Sequence, residues 1–168
     1  PGYTGSLMSS QFRPATLEDA ASLVALKSAV WPAEKGSVAQ VEQGLQFPGQ
    51  LTLIAWQEER PIGFASSFPT VAADVRRRWD LDLLAVRAEA RGQRLGTRLV
   101  EESLARLSIP AGETIRTLIA TDNMASQITF QRAGYAPQNG VLALYIVALS
   151  ENGPHTPAQL PGYLLPVQ

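Results

Sequence analysis

The pattern of apolar and polar positions along the chain changes its period several times, and each change marks an element. Residues 51–57 and 62–68 are two apolar runs joined by Glu58-Glu59-Arg60-Pro61, which is typical of a β-hairpin. Three further strands are predicted at residues 11–15, 78–86 and 114–121, and residues 135–137 are short and extended.

Helical periods separate these strands. A capping-box pattern at Thr16 to Asp19 predicts a helix over residues 20–30, which Trp31-Pro32 ends. A weaker helix is predicted at 37–46. Residues 91–107 place four apolar side chains on one side of a helix, and residues 123–133 form a helix that Gly134 closes.

The order of these elements predicts an α/β fold in which helices flank a mixed, mainly antiparallel sheet. Residues 11–149 form one domain, preceded by a flexible arm at 1–10 and followed by a Pro-rich tail at 150–168. The nine residues 141–149 are all apolar or aromatic, which predicts a strand that needs cover on both faces. A second copy in a homodimer would supply that cover, and the alternative is the tail of the same chain.

Composition excludes several classes of function. The net charge of -1 argues against nucleic acid as a partner, and the absence of cysteine excludes disulfides, thiolate metal sites and a cysteine nucleophile. No apolar run approaches the about 18 residues that cross a bilayer, and the first residues do not follow the pattern of a signal peptide. We therefore expect a cytoplasmic protein with no membrane partner.

One stretch carries a chemical signal. The predicted strand 78–86 ends in Leu84, Ala85 and Val86, and a helix is predicted to begin within Arg91-Gly92-Gln93-Arg94-Leu95-Gly96-Thr97. The first N–H groups of a helix lack helical partners, and glycine lets an anion approach them. Arg91 and Arg94 add charge, so the stretch suits a diphosphate. The alternative is a helix start that happens to be basic.

This stretch resembles the acyl-CoA-binding motif of the GNAT superfamily of N-acetyltransferases, in which Arg/Gln-x-x-Gly-x-Gly/Ala opens a helix five residues after an apolar strand end. Val86, Arg91 and Gly96 match that pattern, whereas Arg94 stands where the family usually has glycine. The resemblance implies a GNAT-like acyl-CoA N-acyltransferase fold and acetyl-CoA as cosubstrate, with no metal. It also implies a set of cofactor-binding residues: Leu84, Ala85, Val86, Arg91, Gly92, Gln93, Arg94, Leu95, Gly96 and Thr97.

A second segment, from Thr121 to Tyr135, resembles the family's Asn-x-x-Ala/Ser helix start followed by Gly-Phe/Tyr. The resemblance implies that Asn123 and Ser126 line the cofactor groove, although Asn123 also suits an ordinary N-cap. At a third groove position Phe130 replaces the family's tyrosine, whose hydroxyl protonates the leaving thiolate. Water, Tyr135 or Tyr145 would then supply that proton, or the thiolate leaves unassisted.

Asp80 and Asp82 are the candidate bases for an amine nucleophile, on the strand where some members of the family carry one. Strict alternation puts both carboxylates on one face, roughly 6.6 Å apart, where burial and like charge raise a carboxyl pKa. A bulge, which the family often has here, would change that facing. The alternative is that they pair with Arg76, Arg77 or Arg78.

Together these features predict an N-acetyltransferase that moves an acetyl group from acetyl-CoA to a primary amine of a small molecule or peptide by direct transfer. The alternative is a non-catalytic acyl-CoA-binding or regulatory module, in which Phe130 marks lost chemistry.

Overall fold

The protein folds as a sheet with helices on both faces in a computed structural model, which describes residues 10–71, 77–111, 113–137, 148–150 and 153–155. The α-helices in these residues are α1 (Ala20–Val30), α2 (Val38–Leu45), α3 (Leu95–Arg106) and α4 (Met124–Arg132). The strands are β1 (Gln11–Pro14), β2 (Leu51–Gln57), β3 (Arg60–Val71), β4 (Arg77–Val86), β5 (Thr114–Arg116), β6 (Ala148–Ser150) and β7 (Gly153–His155).

The main sheet has the order β1-β2-β3-β4-β5. Its first four strands are antiparallel, and β5 runs parallel to β4. A separate two-stranded antiparallel sheet joins β6 and β7. The predicted mixed, mainly antiparallel α/β fold is confirmed.

The central strands are buried on both faces, which explains why their sequences are continuous apolar runs. On one face Ile54 and Phe64 pack against Leu23 and Leu26 of α1. On the other face Leu53 and Ala65 pack with Leu99 of α3, which forms the second helical layer.

Strand β4 contains a bulge at Asp82. Ser66 pairs with Leu83 and Ser67 with Leu81, so Asp82 is an extra residue without a partner on β3. Leu81 and Leu84 consequently lie in the same apolar cluster, although residues three apart face opposite sides of a regular strand.

Strands β4 and β5 part soon after they meet. Only three residue pairs join them, the last being Asp80 and Arg116, and β4 then continues to Val86. The predicted strand 114–121 was therefore too long, because residues 117–120 have no ladder to extend. The divergence begins next to the bulge, and a bulge bends its strand and increases the local twist.

The helix bounds predicted for α1 and the ends predicted for α4 agree with the structure, whereas α3 begins later than predicted. Helix α1 has the predicted bounds, and α4 has the predicted cap at Asn123 and the left-handed Gly134 at φ 93°. Helix α3 begins at Leu95 instead of residue 91, because Gly92 (φ 77°) and Arg94 (φ 60°) are left-handed and cannot continue a helix.

The C-terminal predictions are only partly covered. Residues 135–137 form no strand. Residues 141–147 of the predicted strand 141–149 lie outside the described residues, as do the arm at 1–9 and most of the tail. Within the predicted Pro-rich tail the structure places a short strand, β7.

Candidate active site

The connection between β4 and α3 brings the first helix N–H groups to the end of the strand. A single 3-10 turn, Ala88–Ala90, follows β4, and Arg91 Nε then donates to the Val86 carbonyl at 3.2 Å. The first bond of α3 runs from Arg98 N to the Arg94 carbonyl at 3.0 Å. The N–H groups that precede it, on Leu95, Gly96 and Thr97, therefore have no partner within the helix.

Gly96 is the point at which three elements meet. A Cβ added there would stand 3.3 Å from Thr129 Cγ2 on α4, 3.8 Å from Val86 Cγ2 and 3.9 Å from Leu84 Cδ2. The two sequence segments identified from resemblance are thus side by side, and the absence of a side chain at Gly96 allows this close approach.

Beyond Asp80, β5 no longer pairs with β4, and backbone N–H and C=O groups of β4 face the side that β5 has left. Arg87 N donates to the Ile62 carbonyl at 2.9 Å, and hydrogen-bonded pairs alternate along an antiparallel ladder. Leu83 and Ala85 therefore bond to β3, whereas the N–H and C=O groups of Leu84 and Val86 face the opposite way.

Asn123 caps α4. Its Oδ1 accepts from Ser126 N at 3.1 Å, as the capping interpretation predicted. That bond uses the carbonyl oxygen and leaves the side-chain NH₂ as a donor, so capping is compatible with a second contact. Ser126 itself is half-buried in the first turn.

Phe130 lies in the core. It is 4% exposed and packs with Leu81 and Val100, and its ring meets that of Tyr135 edge to face at a centroid distance of 5.0 Å. The Tyr135 hydroxyl is enclosed and has no hydrogen-bond partner in the described part of the chain, and burial raises its pKa to about 12. Tyr145 lies outside the described residues.

Asp80 is held by two neighbouring strands. Its Oδ2 accepts from Thr70 Oγ1 on β3 at 2.8 Å, and its Oδ1 accepts from Arg116 Nε on β5 at 2.5 Å. Arg78 Nε donates to Thr70 Oγ1 instead of to the carboxylate. The alternative of an ion pair thus holds for Asp80, but with Arg116, which is 36 residues away in sequence and gave no signal there.

Asp82, at the bulge, is half-buried. Burial is the largest cause that raises the pKa of its carboxyl, and the negative charges of Asp80 and Glu34 add to it, whereas Lys27 lowers it. A carboxyl with a raised pKa close to the parted strands is suited to accept a proton.

Neither a metal cluster nor a membrane span is found in the residues that the structure describes. No group of three or more His, Cys, Asp or Glu side chains there could hold a metal ion. No helix in the same part of the chain is long and apolar enough to cross a membrane.

Comparison with known proteins identifies the family. The model of the acetyltransferase (GNAT) family matches residues 20–135, well over half of the chain, so the chain belongs to the GNAT acetyltransferase family. No curated protein matches.

Solved structures share the fold at low identity. An aminoglycoside acetyltransferase, meta-AAC0020, from an uncultured soil metagenomic sample has a TM-score of 0.71 at 13% identity, over 83% of this chain and 96% of that one. Aminoglycoside N-acetyltransferase AAC(6')-Iy in complex with CoA has a TM-score of 0.71 at 18% identity, over 85% and 98%. A ribosomal-protein-alanine N-acetyltransferase from Brucella melitensis biovar Abortus 2308 has a TM-score of 0.66 at 13% identity, over 82% and 99%.

Proposed function

We propose that the protein transfers an acetyl group from acetyl-CoA to a primary amine of a small molecule or peptide, by direct attack of the amine on the thioester. The observation that carries this proposal is a pair of backbone edges at one place that have no partner among the described residues: the first turn of α3, and the side of β4 that β5 leaves open. Membership of the GNAT family supports the reaction class. The structures that share this fold include an aminoglycoside N-acetyltransferase and a ribosomal-protein-alanine N-acetyltransferase, which supports a nitrogen atom as the acceptor.

The diphosphate would bind at the start of α3. The N–H groups of Leu95, Gly96 and Thr97 supply neutral donors, the helix dipole adds partial positive charge, and the exposed Arg91 and Arg94 supply cations. Gly96 fits this role because a side chain there would fill the space between β4 and α4.

The pantetheine arm would run along Leu84 and Val86, whose backbone groups face away from β3. An N–H group of this edge would then donate to the thioester oxygen and to the oxyanion that forms on attack. One preorganised donor of this kind stabilises the transition state by about 3 kcal/mol. Asn123 and Ser126 lie at the start of α4, the helix whose Thr129 contacts α3 at Gly96, and would line the other wall.

Asp82 is the stronger of the two candidate bases. Both oxygens of Asp80 already accept hydrogen bonds, whereas the Asp82 carboxyl has a raised pKa. An amine has a pKa of about 10 and is mostly protonated at neutral pH, so it must lose a proton before it attacks. Asp82 would accept that proton directly or through a water.

The leaving thiolate would depart without a tyrosine. Phe130 offers no proton, and the Tyr135 hydroxyl is enclosed in the core. A thiol pKa of about 8.5 makes the thiolate a tolerable leaving group, and water can protonate it afterwards.

Calorimetry with CoA, dephospho-CoA and pantetheine tests the binding half of the proposal. Pantetheine lacks the diphosphate and should bind much more weakly than the other two. Gly96→Glu should abolish CoA binding, because its carboxylate repels the diphosphate. The control is Gly44→Glu on α2, where no atom lies within 4 Å of an added Cβ. Equal affinity of the wild type and Gly96→Glu for CoA would overturn this placement.

Turnover of acetyl-CoA with a panel of primary amines separates the enzyme from a non-catalytic acyl-CoA-binding module. The enzyme should release CoA only when an amine is present, and Asp82→Asn should lower kcat/KM by about 10²- to 10⁴-fold. A protein that binds CoA tightly but acetylates no amine would be the regulatory module.

A further inference from the structure

The carboxylate of Asp80 lies where the sheet opens. Asp80 and Arg116 are the last residue pair between β4 and β5, and Arg116 is also the last residue of β5. Beyond this pair β4 extends through the bulge at Asp82 and on to Val86. The ion pair therefore marks the vertex from which the two strands part.

Asp80 joins three adjacent strands through one side chain. Thr70 on β3 donates to Oδ2 at 2.8 Å, and Arg116 on β5 donates to Oδ1 at 2.5 Å. The Asp80 side chain is 13% exposed, whereas that of Arg116 is 47% exposed. A carboxylate this enclosed is more strongly coupled to its partners than a surface ion pair is.

The same carboxylate lies two residues before Asp82 in the strand, and its charge is one of the causes that disfavour ionisation of Asp82. The other charged groups that act on Asp82 come from α1 and the segment after it. They are Lys27 of α1 and Glu34 of the segment that follows it. The charge of Asp80 is paired with that of Arg116 on β5, so a substitution of either residue changes the charge near Asp82 in a different direction.

We propose that Asp80 is a positioning residue. With Arg116 it holds β4 and β5 together at the point where the two strands part, and it acts on the reaction through Asp82 rather than by touching the amine. The consequence for catalysis rests on the proposed acetyl transfer. The fastening and the effect on Asp82 do not depend on it.

The two halves of the ion pair give opposite predictions. Asp80→Asn removes a negative charge near Asp82 and leaves the Arg116 cation, so the Asp82 carboxyl should ionise at lower pH. Arg116→Gln removes the cation and leaves Asp80 charged, so Asp82 should ionise at higher pH. Both variants lose the same ion pair, and a purely structural role would move the two in the same direction.

The experiment measures the ionisation of Asp82 by carbon-detected NMR titration in the wild type, Asp80→Asn and Arg116→Gln, and the acidic limb of the kcat/KM pH profile in the same proteins. Glu102→Gln is the matched control, because it breaks an arginine–carboxylate pair on α3 and should leave both readouts unmoved. Opposite displacements of the Asp82 titration in the two variants support the proposal. Displacements in one direction, or none, overturn it.

Activity then separates this inference from the proposed function. In an active enzyme the acidic limb should follow the NMR titration in each variant, and kcat/KM at high pH should fall less than in Asp82→Asn. If the acidic limb of the kcat/KM profile stays at the same pH while the NMR titration of Asp82 shifts, the action of Asp80 through Asp82 is overturned. If the wild type neither binds CoA nor acetylates any amine, the proposed function fails, and the NMR titration alone decides whether Asp80 and Arg116 act on Asp82.

Discussion

Gly96 on α3 faces the methyl group of Thr129 on α4, and a Cβ on Gly96 would stand 3.3 Å from Thr129 Cγ2. The start of α3 and the body of α4 are therefore as close as a residue without a side chain allows. This contact holds the two wall segments of the candidate site against each other, and it leads to a stability test.

Gly96→Ala should lower the free energy of unfolding by about 1 kcal/mol, because the overpacked contact outweighs the gain in helix propensity. Thr129→Ser removes only the opposing methyl and keeps the hydroxyl that donates to the Ala125 carbonyl. In the Thr129→Ser background, Gly96→Ala should be neutral or stabilising. Chemical denaturation of the two single variants and the double variant measures the coupling.

The control for this cycle is Gly44→Ala on α2. No atom lies within 4 Å of the added methyl there, so the variant should gain roughly 0.5 to 1 kcal/mol from helix propensity alone. Strictly additive effects of Gly96→Ala and Thr129→Ser would contradict a contact between the two side chains.

Acid should weaken the fold through Asp19. Arg13 donates two hydrogen bonds of 2.7 Å to its carboxylate, and the Thr16 N–H donates a third at 2.8 Å. The bonds from Arg13 are the largest cause that lowers the pKa of Asp19 to about 2. The unfolded chain binds this proton at higher pH than the folded chain does, so stability is full above about pH 4 and is lost as pH falls towards about 2.

We expect this group to contribute about 1 to 2 kcal/mol at neutral pH, reduced by solvent around the half-exposed Arg13. Denaturant titrations at several pH values should show that Asp19→Asn is less stable at neutral pH and that the difference narrows in acid. Parallel curves for the two proteins down to pH 2 would contradict the assignment.

Tyr135→Phe should not destabilise the protein. The hydroxyl is buried without a partner among the described residues, and an unpaired buried hydroxyl costs about 1 to 3 kcal/mol. The edge-to-face contact with Phe130 is kept in the variant. Thermal unfolding should show an unchanged or raised Tm, and the acetylation rate should be unchanged because the hydroxyl is enclosed. A large drop in kcat would instead identify Tyr135 as the proton donor.

The apolar run at residues 141–149 predicts a homodimer, and light scattering at micromolar concentration should give twice the chain mass of 18.1 kDa. A charge within the run, as in Leu144→Glu, should return the mass to that of one chain. A wild-type mass near that of one chain would favour cover by the chain's own tail.

Local signals in the sequence were sufficient for most elements. The capping box at Thr16 begins the 3-10 turn Leu17–Asp19 that leads into α1, and Trp31-Pro32 ends that helix. Asn123 and Gly134 bound α4. Each of these signals acts on backbone groups within a few residues. The two segments that resemble the family's cofactor-binding motifs were likewise recognisable, since glycine and asparagine at helix starts have a backbone function.

Long-range and conformational features left no such signal. Arg94 adopts φ 60° without being glycine, so the true start of α3 was hidden. The partner of Asp80 comes from a strand that is distant in sequence. The bulge at Asp82 was anticipated only from the family resemblance, because the residues themselves are compatible with an alternating pattern. Each of these depends on packing between elements, which a local pattern does not record.

The bulge at Asp82 divides β4 into two halves of opposite phase. Before it, Asp80 shares the face of Thr70, and after it Leu83 and Ala85 point to the α1 layer. Deleting Asp82 itself would keep Asp80 and Leu83 on one face and Leu81 and Leu84 on the other, because Leu81 and Leu83 pair with the adjacent residues Ser67 and Ser66. Deleting a residue elsewhere in the strand would instead turn the part of β4 beyond it to the wrong layer. The bulge is therefore the place at which β4 can change length without exchanging its two faces, whereas elsewhere in residues 77–86 a change of length is far more damaging than a change of side chain.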